Sequence, residues 1–218
     1  MSIAIIDYGM GNLRSVEQAL NRVAAGHEIR VTSCPVYVAQ AERVVFPGQG
    51  AMPACMAELD RRNLREAVLE AAASKPFLGI CIGLQMLFSH SEEGDSPGLD
   101  CFAGQVFRFP NTMRSLDGEC LDKRLGERLK VPHMGWNSVR QETSHPLWHG
   151  ITDNARFYFV HSYYVALEDV SLSVGSCEYG FRFTAAVARD NIFAVQFHPE
   201  KSAADGLSLL SNFVRWRP

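Results

Sequence analysis

The run Phe77-Leu78-Gly79-Ile80-Cys81-Ile82-Gly83-Leu84-Gln85-Met86-Leu87-Phe88 decides the fold of this chain. Its first residues form a short apolar stretch typical of a buried strand, and Pro76 directly before them suits the start of a strand better than its interior. After Cys81, the residues Leu84, Leu87 and Phe88 recur at the spacing of one helix face. The run therefore predicts a strand, one sharp turn and an amphipathic helix.

The turn has the pattern Gly79-x-Cys81-x-Gly83, in which a thiol replaces the hydroxyl of the Gly-x-Ser-x-Gly nucleophile elbow. A nucleophile on such a turn has strained backbone angles, and glycines beside it avoid collisions with the neighbouring strand and helix. The positive end of the helix dipole also favours the reactive thiolate. The alternative is a buried structural cysteine between packing glycines, since free cysteines are among the most buried residues.

The composition is that of an ordinary globular chain, because 47% of its 218 residues are hydrophobic and 21% are charged. This length favours one α/β domain over residues 1–218 with one sizeable core. The net charge of −3 gives no indication of a nucleic acid or an anionic membrane as partner. No apolar run has the length of a bilayer span, and the first residues, Met1 to Asp7, lack the basic leader of a signal peptide.

The six cysteines are scattered along the chain without a Cys-x-x-Cys pair, at positions 34, 55, 81, 101, 120 and 177. This distribution argues against a disulfide framework and against a zinc site. It favours a reducing, cytoplasmic setting.

Short apolar strands alternate with helical patterns in the first half of the chain. The predicted strands are Ile3–Ile6, Ile29–Thr32 and Arg43–Phe46, and the predicted helices are Leu13–Ala24, Met52–Leu59 and Leu64–Ser74. Such alternation predicts an α/β fold, with a mostly parallel central sheet, helices on both faces and sites at the carboxyl ends of the strands. Gly9-x-Gly11 after the first strand lacks the third glycine of a dinucleotide fingerprint, so it indicates a nucleotide only weakly.

The second half of the chain is richer in β pattern. Residues 89–98 are predicted as a polar loop and 111–130 as a surface insertion, with a short helix over Leu121–Leu129 as the one element its pattern allows. The predicted strands here are Gln105–Phe109, Arg156–Val165, Leu172–Cys177, Thr184–Ala188 and Ile192–Phe197. The segment from Ala203 to Trp216 is predicted as a closing helix.

A histidine and a carboxylate follow the last predicted strand, in Phe197-His198-Pro199-Glu200. A cysteine nucleophile needs a general base and acid, and histidine titrates in the right range. Glu200, with proline fixing the turn between the two residues, is spaced to orient the imidazole. The alternative is a surface histidine at a strand end, followed by a helix-start carboxylate. A cysteine and a His-x-Glu at strand ends of one parallel sheet favour catalysis.

Phe46-Pro47-Gly48-Gln49-Gly50 also lies at a strand end. A backbone flanked by glycines can turn its N–H groups toward a developing oxyanion. We expect the N–H of Ile82, directly after the nucleophile, to be the first donor and the N–H of Gln49 to be the second. Glycine-rich strand ends are also common as plain turns.

Two aromatic segments, Val131–Asn137 and His161–Tyr164, suit a partner surface or a polar ligand. Packing is the alternative reading for Trp136 and the tyrosines, and the histidines of these segments then are ordinary polar residues. No metal site is expected, because no acidic or cysteine ligand accompanies a histidine at a recognised spacing.

Taken together, these motifs resemble the class I glutamine amidotransferases, which use a Cys-His-Glu triad. The segments that carry the resemblance are Asp7–Asn12, Pro47–Gly50, Gly79–Gln85, Pro132–Asn137, His161–Tyr163 and Phe197–Ser202. The resemblance runs from the first strand to near the end of the chain. It implies a flavodoxin-like sheet with an added β-rich portion, catalysis by Cys81, His198 and Glu200, and no cofactor.

Within that family, the segments are most similar to the glutaminase subunits of imidazole glycerol phosphate synthases, of histidine biosynthesis. The resemblance implies hydrolysis of L-glutamine to glutamate and ammonia through a glutamyl thioester. It also implies a heterodimer with a cyclase partner, which is a (β/α)₈ barrel that receives the ammonia and makes imidazole glycerol phosphate and aminoimidazole carboxamide ribonucleotide. Weak glutaminase activity is expected until that partner binds its nucleotide.

The same resemblance assigns further residues. Gly50, Gln85, Glu93 and Ser162 would hold glutamine, and Asn12, Trp136 and Lys201 would contact the cyclase. The chain departs from the family at Gln49, where some relatives carry an aliphatic residue, and in the length of segment 111–130.

Three alternatives stay open from the sequence. The chain could serve a different synthase, such as one of anthranilate, pyridoxal phosphate or GMP synthesis, although the Pro132–Asn137 motif argues against this. It could be a catalytically idle docking subunit, or a thiol hydrolase or stress protein on a similar sheet.

Overall fold

A computed structural model describes residues 1–113 and 128–218 of the chain. Its strands, in chain order, are β1 (Ser2–Ile6), β2 (Glu28–Thr32), β3 (Arg43–Gly48), β4 (Phe77–Cys81), β5 (Phe88–Ser91), β6 (Ser96–Pro97), β7 (Phe102–Arg108), β8 (His133–Gln141), β9 (Ala155–His161), β10 (Tyr163–Leu167), β11 (Ser173–Glu178), β12 (Arg182–Arg189) and β13 (Ile192–Val195). The α-helices are α1 (Leu13–Val23), α2 (Pro35–Gln40), α3 (Met52–Arg61), α4 (Arg65–Ser74), α5 (Ile82–Gln85) and α6 (Ala203–Arg215). Short 3₁₀ turns occupy Pro146–Trp148, Val170–Leu172 and Pro199–Lys201.

The central sheet has a parallel half and a mainly antiparallel half. Strands β2, β1, β3, β4 and β13 lie side by side and parallel. From β13 the sheet continues through β12, β10, β7, β5 and β6, where every ladder except β5–β7 is antiparallel. Strands β8, β9 and β11 extend the antiparallel portion. This arrangement confirms the predicted α/β fold with a β-rich second half.

Side chains of the parallel strands alternate between two apolar layers. Ile3, Ile5 and Phe193 belong to the layer that also contains buried residues of α1 and α6, whereas Ala4 and Phe46 belong to the layer of α2, α3 and α4. Because both faces of β3, β4 and β13 are covered, these strands are buried throughout and, apart from Arg43 at the start of β3, contain no charged residue. Because β4 and β13 pair in parallel, their carboxyl ends lie side by side at the same end of the sheet.

A helix does follow Cys81, but the prediction of its length is wrong. Helix α5 ends at Gln85, and Phe88 already begins strand β5. The Leu87 carbonyl accepts hydrogen bonds from the backbone N–H groups of Cys101 and Phe102. In a longer helix this carbonyl would instead accept from an N–H group one turn further along the same helix. The apolar residues of the run are buried because protein surrounds them on all sides, and this burial produced the apparent helix pattern.

Other boundaries also differ from the sequence prediction. The polar loop predicted over residues 89–98 contains the rest of β5 and all of β6, and α2 is a helix that the sequence pattern did not indicate. The single strand predicted over Arg156–Val165 is two strands, β9 and β10, separated at Ser162. Most of the predicted insertion 111–130, with the helix over Leu121–Leu129, lies outside the described residues.

Candidate active site

Cys81 lies at the turn between β4 and α5 with a φ of 57° and a ψ of −110°. Such a positive φ is strained in a residue with a side chain, and the surrounding structure must hold it in place. The neighbouring glycines are required for space, because a Cβ on Gly83 would collide with the Phe46 carbonyl and one on Gly79 would crowd Ala194. The predicted sharp turn between strand and helix is therefore present, and it places a buried thiol at the carboxyl end of β4.

His198 and Glu200 follow β13, the strand that pairs with β4. The Glu200 Oε1 atom lies 2.8 Å from His198 Nδ1, and the two side chains are only 1% and 6% exposed. This contact fixes Nδ1 as the protonated nitrogen facing the carboxylate. Among the described residues, His198 Nε2 has no hydrogen bond of ordinary geometry, so it is the nitrogen left for the thiol.

Burial and charge act in opposite directions on the pKa of His198. Burial lowers this pKa, but the interaction with the nearby Cys81 sulfur, followed by that with Glu200, outweighs it and raises the pKa to about 10. The imidazole is therefore held as an imidazolium beside sulfur at neutral pH. An imidazolium of this kind can later give its proton to a leaving group.

Ser202 fixes the turn that carries the histidine, a role the sequence reading did not assign. Its hydroxyl donates to the His198 carbonyl at 2.6 Å and accepts the Tyr158 N–H at 3.0 Å. The N–H of His198 in turn donates to the Tyr158 carbonyl at 2.9 Å. The histidine is thus held to β9 as well as to β13. The available signal was the serine four residues after the histidine, in His198-Pro199-Glu200-Lys201-Ser202.

The segment predicted to donate to an oxyanion lies beside Cys81. Gly48, the last residue of β3, is directly opposite Cys81 in the parallel ladder, and Gln49 follows it. A Cβ on Gly48 would collide with the Tyr8 hydroxyl and with the Ile82 side chain, so this close approach requires glycine. Gly50 has a φ of +128°. Ile82 is the first residue of α5, so its N–H group has no partner within that helix.

Hydrogen bonds fix the positions of three residues that were predicted to bind glutamine. Gln85, at the end of α5, is buried, and its amide nitrogen donates to the Tyr163 carbonyl at 3.2 Å. Ser162 is adjacent to Tyr163, and its carbonyl accepts a hydrogen bond from the N–H of Phe109. The Glu93 carboxylate accepts the Met52 N–H at 2.7 Å, which places it at the start of α3, two residues after Gly50.

Gln196 is a further polar residue at the site that the sequence reading missed. It is fully buried, and its amide nitrogen lies 3.7 Å from the Cys81 sulfur. Its amide oxygen accepts a hydrogen bond from Gln85 at 3.0 Å. The available signal was a glutamine inside the otherwise apolar run Ile192–Phe197.

Two of the three predicted interface residues lie together. Trp136 is 44% exposed, and its ring contacts that of Tyr158 at 6.3 Å between centroids. The ammonium group of Lys201 lies 5.8 Å from the same ring. Asn12 lies apart from them at the start of α1, next to Gly11, which approaches the backbone of Gly48.

His133 and His161, read from sequence as ordinary polar residues, form a buried pair. His133 Nδ1 lies 2.9 Å from His161 Nε2, and the His133 ring stacks on Tyr179 and Phe159. Burial, reinforced by the charge of the other histidine, lowers the pKa of His133 to about 2. Burial also lowers the pKa of His161 to about 4, which the charge of His198 reinforces. Both rings are consequently neutral at physiological pH.

Within residues 1–113 and 128–218, no group of three or more His, Cys, Asp or Glu side chains is arranged to hold a metal ion. The helices in the same ranges are all too short or too polar to cross a membrane.

Comparison with known proteins identifies the family. Residues 4–216 match the family model of glutamine amidotransferase class-I. The chain is a class I glutamine amidotransferase. This amidotransferase is 65% identical over 217 residues to imidazole glycerol phosphate synthase subunit HisH of Dechloromonas aromatica, with 100% of this chain and 97% of the relative covered. It is 64% identical to the subunit of the same name from Aromatoleum aromaticum, with 99% of each chain covered.

Solved structures share the fold of this amidotransferase at low sequence identity. PurLQS from Thermotoga maritima aligns with a TM-score of 0.70 at 15% identity, covering 98% of this chain and 97% of the other. A glutamine amidotransferase from the same organism aligns with a TM-score of 0.58 at 17% identity, covering 92% of this chain and 76% of the other. At such identities the similarity concerns the fold alone.

Proposed function

We propose that this chain is the glutaminase subunit of an imidazole glycerol phosphate synthase, with Cys81, His198 and Glu200 as its catalytic triad. The observation that carries the proposal is a buried thiol, imidazolium and carboxylate at one sheet edge, in a chain 65% identical over its whole length to a subunit of that synthase. The family match over residues 4–216 supports a single amidotransferase domain spanning the chain.

The geometry supports the following chemistry. The Cys81 thiolate attacks the side-chain amide carbon of L-glutamine, and the N–H groups of Gln49 and Ile82 stabilise the oxyanion. The His198 imidazolium gives its proton to the amide nitrogen, so that ammonia leaves and a glutamyl thioester remains. Water, deprotonated by His198, then cleaves the thioester, which releases glutamate and restores the thiolate–imidazolium pair. Glu200 orients the ring and stabilises its charge.

We assign glutamine binding to Gly50, Gln85, Glu93 and Ser162. Both amide hydrogens of Gln85 are used in bonds to Tyr163 and Gln196, which leaves its amide oxygen to accept from the ammonium group of glutamine. Glu93 adds a carboxylate for the same ammonium.

We assign the cyclase contact to the surface that Trp136, Lys201 and Asn12 mark. An exposed tryptophan is typical of the centre of a protein interface, and an exposed lysine is more typical of its polar rim. Met134, on the same strand as Trp136, is 62% exposed and enlarges this apolar surface. The partner would be a (β/α)₈ barrel in a heterodimer, and the complex would be cytoplasmic. Free thiols at Cys34, Cys55, Cys81 and Cys101 are consistent with a reducing compartment.

The decisive test is release of ammonia and glutamate from glutamine by the native chain and by Cys81→Ala, each with and without purified cyclase and its nucleotide. Cys81→Ala is expected to lose all activity and to keep its binding to the cyclase, because only the nucleophile is removed. Cys34→Ala, at a half-buried thiol away from the site, is the matched control and is expected to stay active. Glutaminase activity in Cys81→Ala would exclude this nucleophile, and an inactive native complex would indicate a docking subunit.

A further inference from the structure

We propose that Gln196 is a further catalytic residue, whose amide N–H group holds the Cys81 sulfur as a thiolate. This inference rests on the proposed function, because it takes Cys81 as the nucleophile. The Gln196 amide nitrogen lies 3.7 Å from the sulfur, within hydrogen-bond distance for this larger atom, and both residues are buried. A hydrogen bond to an anionic sulfur is stronger than one to a neutral thiol.

A backbone carbonyl sets which end of the Gln196 amide faces the sulfur. The Tyr163 carbonyl can only accept, so the Gln85 amide must present its nitrogen there, at 3.2 Å. The second hydrogen of that nitrogen points to the Gln196 oxygen at 3.0 Å. The Gln196 oxygen is thereby occupied, and its nitrogen is the end that meets the sulfur. A flipped amide would place oxygen against a thiolate and two nitrogens against each other.

The neutral histidine pair holds the carbonyl that sets this direction. Asn137 uses its two amide hydrogens on the Glu178 carbonyl at 2.8 Å and on His133 Nε2 at 3.2 Å. His133 therefore carries its hydrogen on Nδ1 and donates it to His161 Nε2. His161 then carries its hydrogen on Nδ1 and donates it to the Tyr163 carbonyl at 2.7 Å.

Hydrogen bonds thus connect strand β8 to Cys81, with the Tyr163 carbonyl accepting from His161 on one side and from Gln85 on the other. Each hydrogen in this network has one acceptor. The low pKa values keep both histidines neutral, and their hydrogen-bond partners select the tautomers. His161 and Gln85 act through their neighbours as positioning residues, whereas Gln196 touches the reacting atom itself.

The test compares Gln196→Leu and Gln196→Glu with the native chain, by the pH profile of Cys81 alkylation with iodoacetamide, read by peptide mass spectrometry. Gln196→Leu removes the donor, so we expect alkylation at neutral pH to slow at least about tenfold and the profile to move to higher pH. Gln196→Glu keeps the length and the acceptor for Gln85 but places a carboxylate against the sulfur. We expect its profile to move further than that of Gln196→Leu.

The order of the two variants separates catalysis from packing. A purely structural role predicts rescue by the isosteric glutamate, and that result, or an unchanged profile in both variants, would overturn the inference. Burial raises the pKa of Cys55 to about 11, so slow alkylation of this thiol in the same digest verifies that each variant is folded. The exposed Gln105→Leu is the matched control and is expected to behave as native. A native Cys81 no more reactive than Cys55 would instead count against the proposed function.

Where glutamine turnover is measured with the cyclase complex, Gln196→Leu is expected to lower kcat about tenfold and to leave KM within about twofold. The reason is that the lost hydrogen bond belongs to the nucleophile and not to the substrate. A raised KM with an unchanged kcat would assign Gln196 to glutamine binding and would also overturn the inference.

Discussion

His198 and the His133–His161 pair are both buried, yet their pKa values are shifted in opposite directions. The pKa of His198 is raised to about 10, whereas those of His133 and His161 are lowered to about 2 and about 4. Burial lowers the pKa at all three positions. Only His198 has a sulfur and a carboxylate as neighbours, those of Cys81 and Glu200, because the pair is surrounded by aromatic rings and an amide.

The difference shows that desolvation does not decide the charge of a buried histidine in this protein. At His198, a carboxylate at 2.8 Å and a neighbouring sulfur reverse the direction of the pKa shift. The histidine pair lacks such neighbours, so burial keeps both of its rings neutral. The two states also suit different uses. A charged imidazole can give a proton to a leaving group, whereas a neutral one can hold a fixed tautomer in a hydrogen-bond chain.

The largest expected effect comes from removing the charged histidine, His198. His198→Ala is expected to lower glutaminase turnover about a thousandfold, since both proton transfers lose their group. The measurement is ammonia release in the cyclase complex at saturating glutamine. His145→Ala, at a half-buried histidine away from the triad, is the control and should retain turnover. Near-native turnover in His198→Ala would remove this residue from the mechanism.

A smaller loss is expected when the carboxylate alone is neutralised. Glu200→Gln keeps a hydrogen-bond acceptor at His198 Nδ1 but removes its charge, so the site comes closer to the neutral pair. We expect a fall of about tenfold to a hundredfold in turnover and a fall in the pKa of His198 from about 10. NMR titration of the labelled histidine checks the pKa. A greater loss of turnover than in His198→Ala would contradict the assignment of Glu200 to orientation.

The smallest expected effect comes from bringing a carboxylate to the neutral pair. Asn137→Asp places a charge next to His133 Nε2, which should raise the pKa of His133, and it opposes a carboxylate to the Glu178 carbonyl. We expect a loss of about 1–3 kcal/mol in the free energy of unfolding at pH 7.5, measured by urea titration.

The dependence of stability on pH should also change in Asn137→Asp. In the native chain the pair stays neutral while the unfolded chain takes up protons below about pH 6.5. Stability is therefore lost as the pH falls from about 6.5 to about 4. The variant, whose His133 can be protonated in the folded state, should lose less over this range. Asn137→Leu removes the hydrogen bonds without adding charge, and an equal pH dependence in both variants would contradict the electrostatic explanation.

The sequence predicted the parts of the molecule that depend on local pattern. The parallel strands around Cys81 are apolar because both faces are covered, and the glycines beside the thiol are required by contacts within a few residues or in the next strand. The family resemblance, which rests on several ordered segments, was confirmed over residues 4–216.

The parts that the sequence reading missed depend on contacts between distant segments. Helix α5 ends early because residues 101 and 102 bind the Leu87 carbonyl, which no pattern within the run reveals. Ser202 and Gln196 are single polar residues whose partners are 44 and 115 positions away. The pairing of His133 with His161 likewise requires the register of β8 against β9, where the two residues are directly opposite.

The positive φ of Cys81 has a consequence for the whole fold. A side chain in this backbone region costs about 1–3 kcal/mol, and glycine would avoid most of it. At residue 81, the stability of the fold therefore favours glycine, whereas chemical reactivity requires cysteine. The chain would be sturdier with glycine there, and it would be inert.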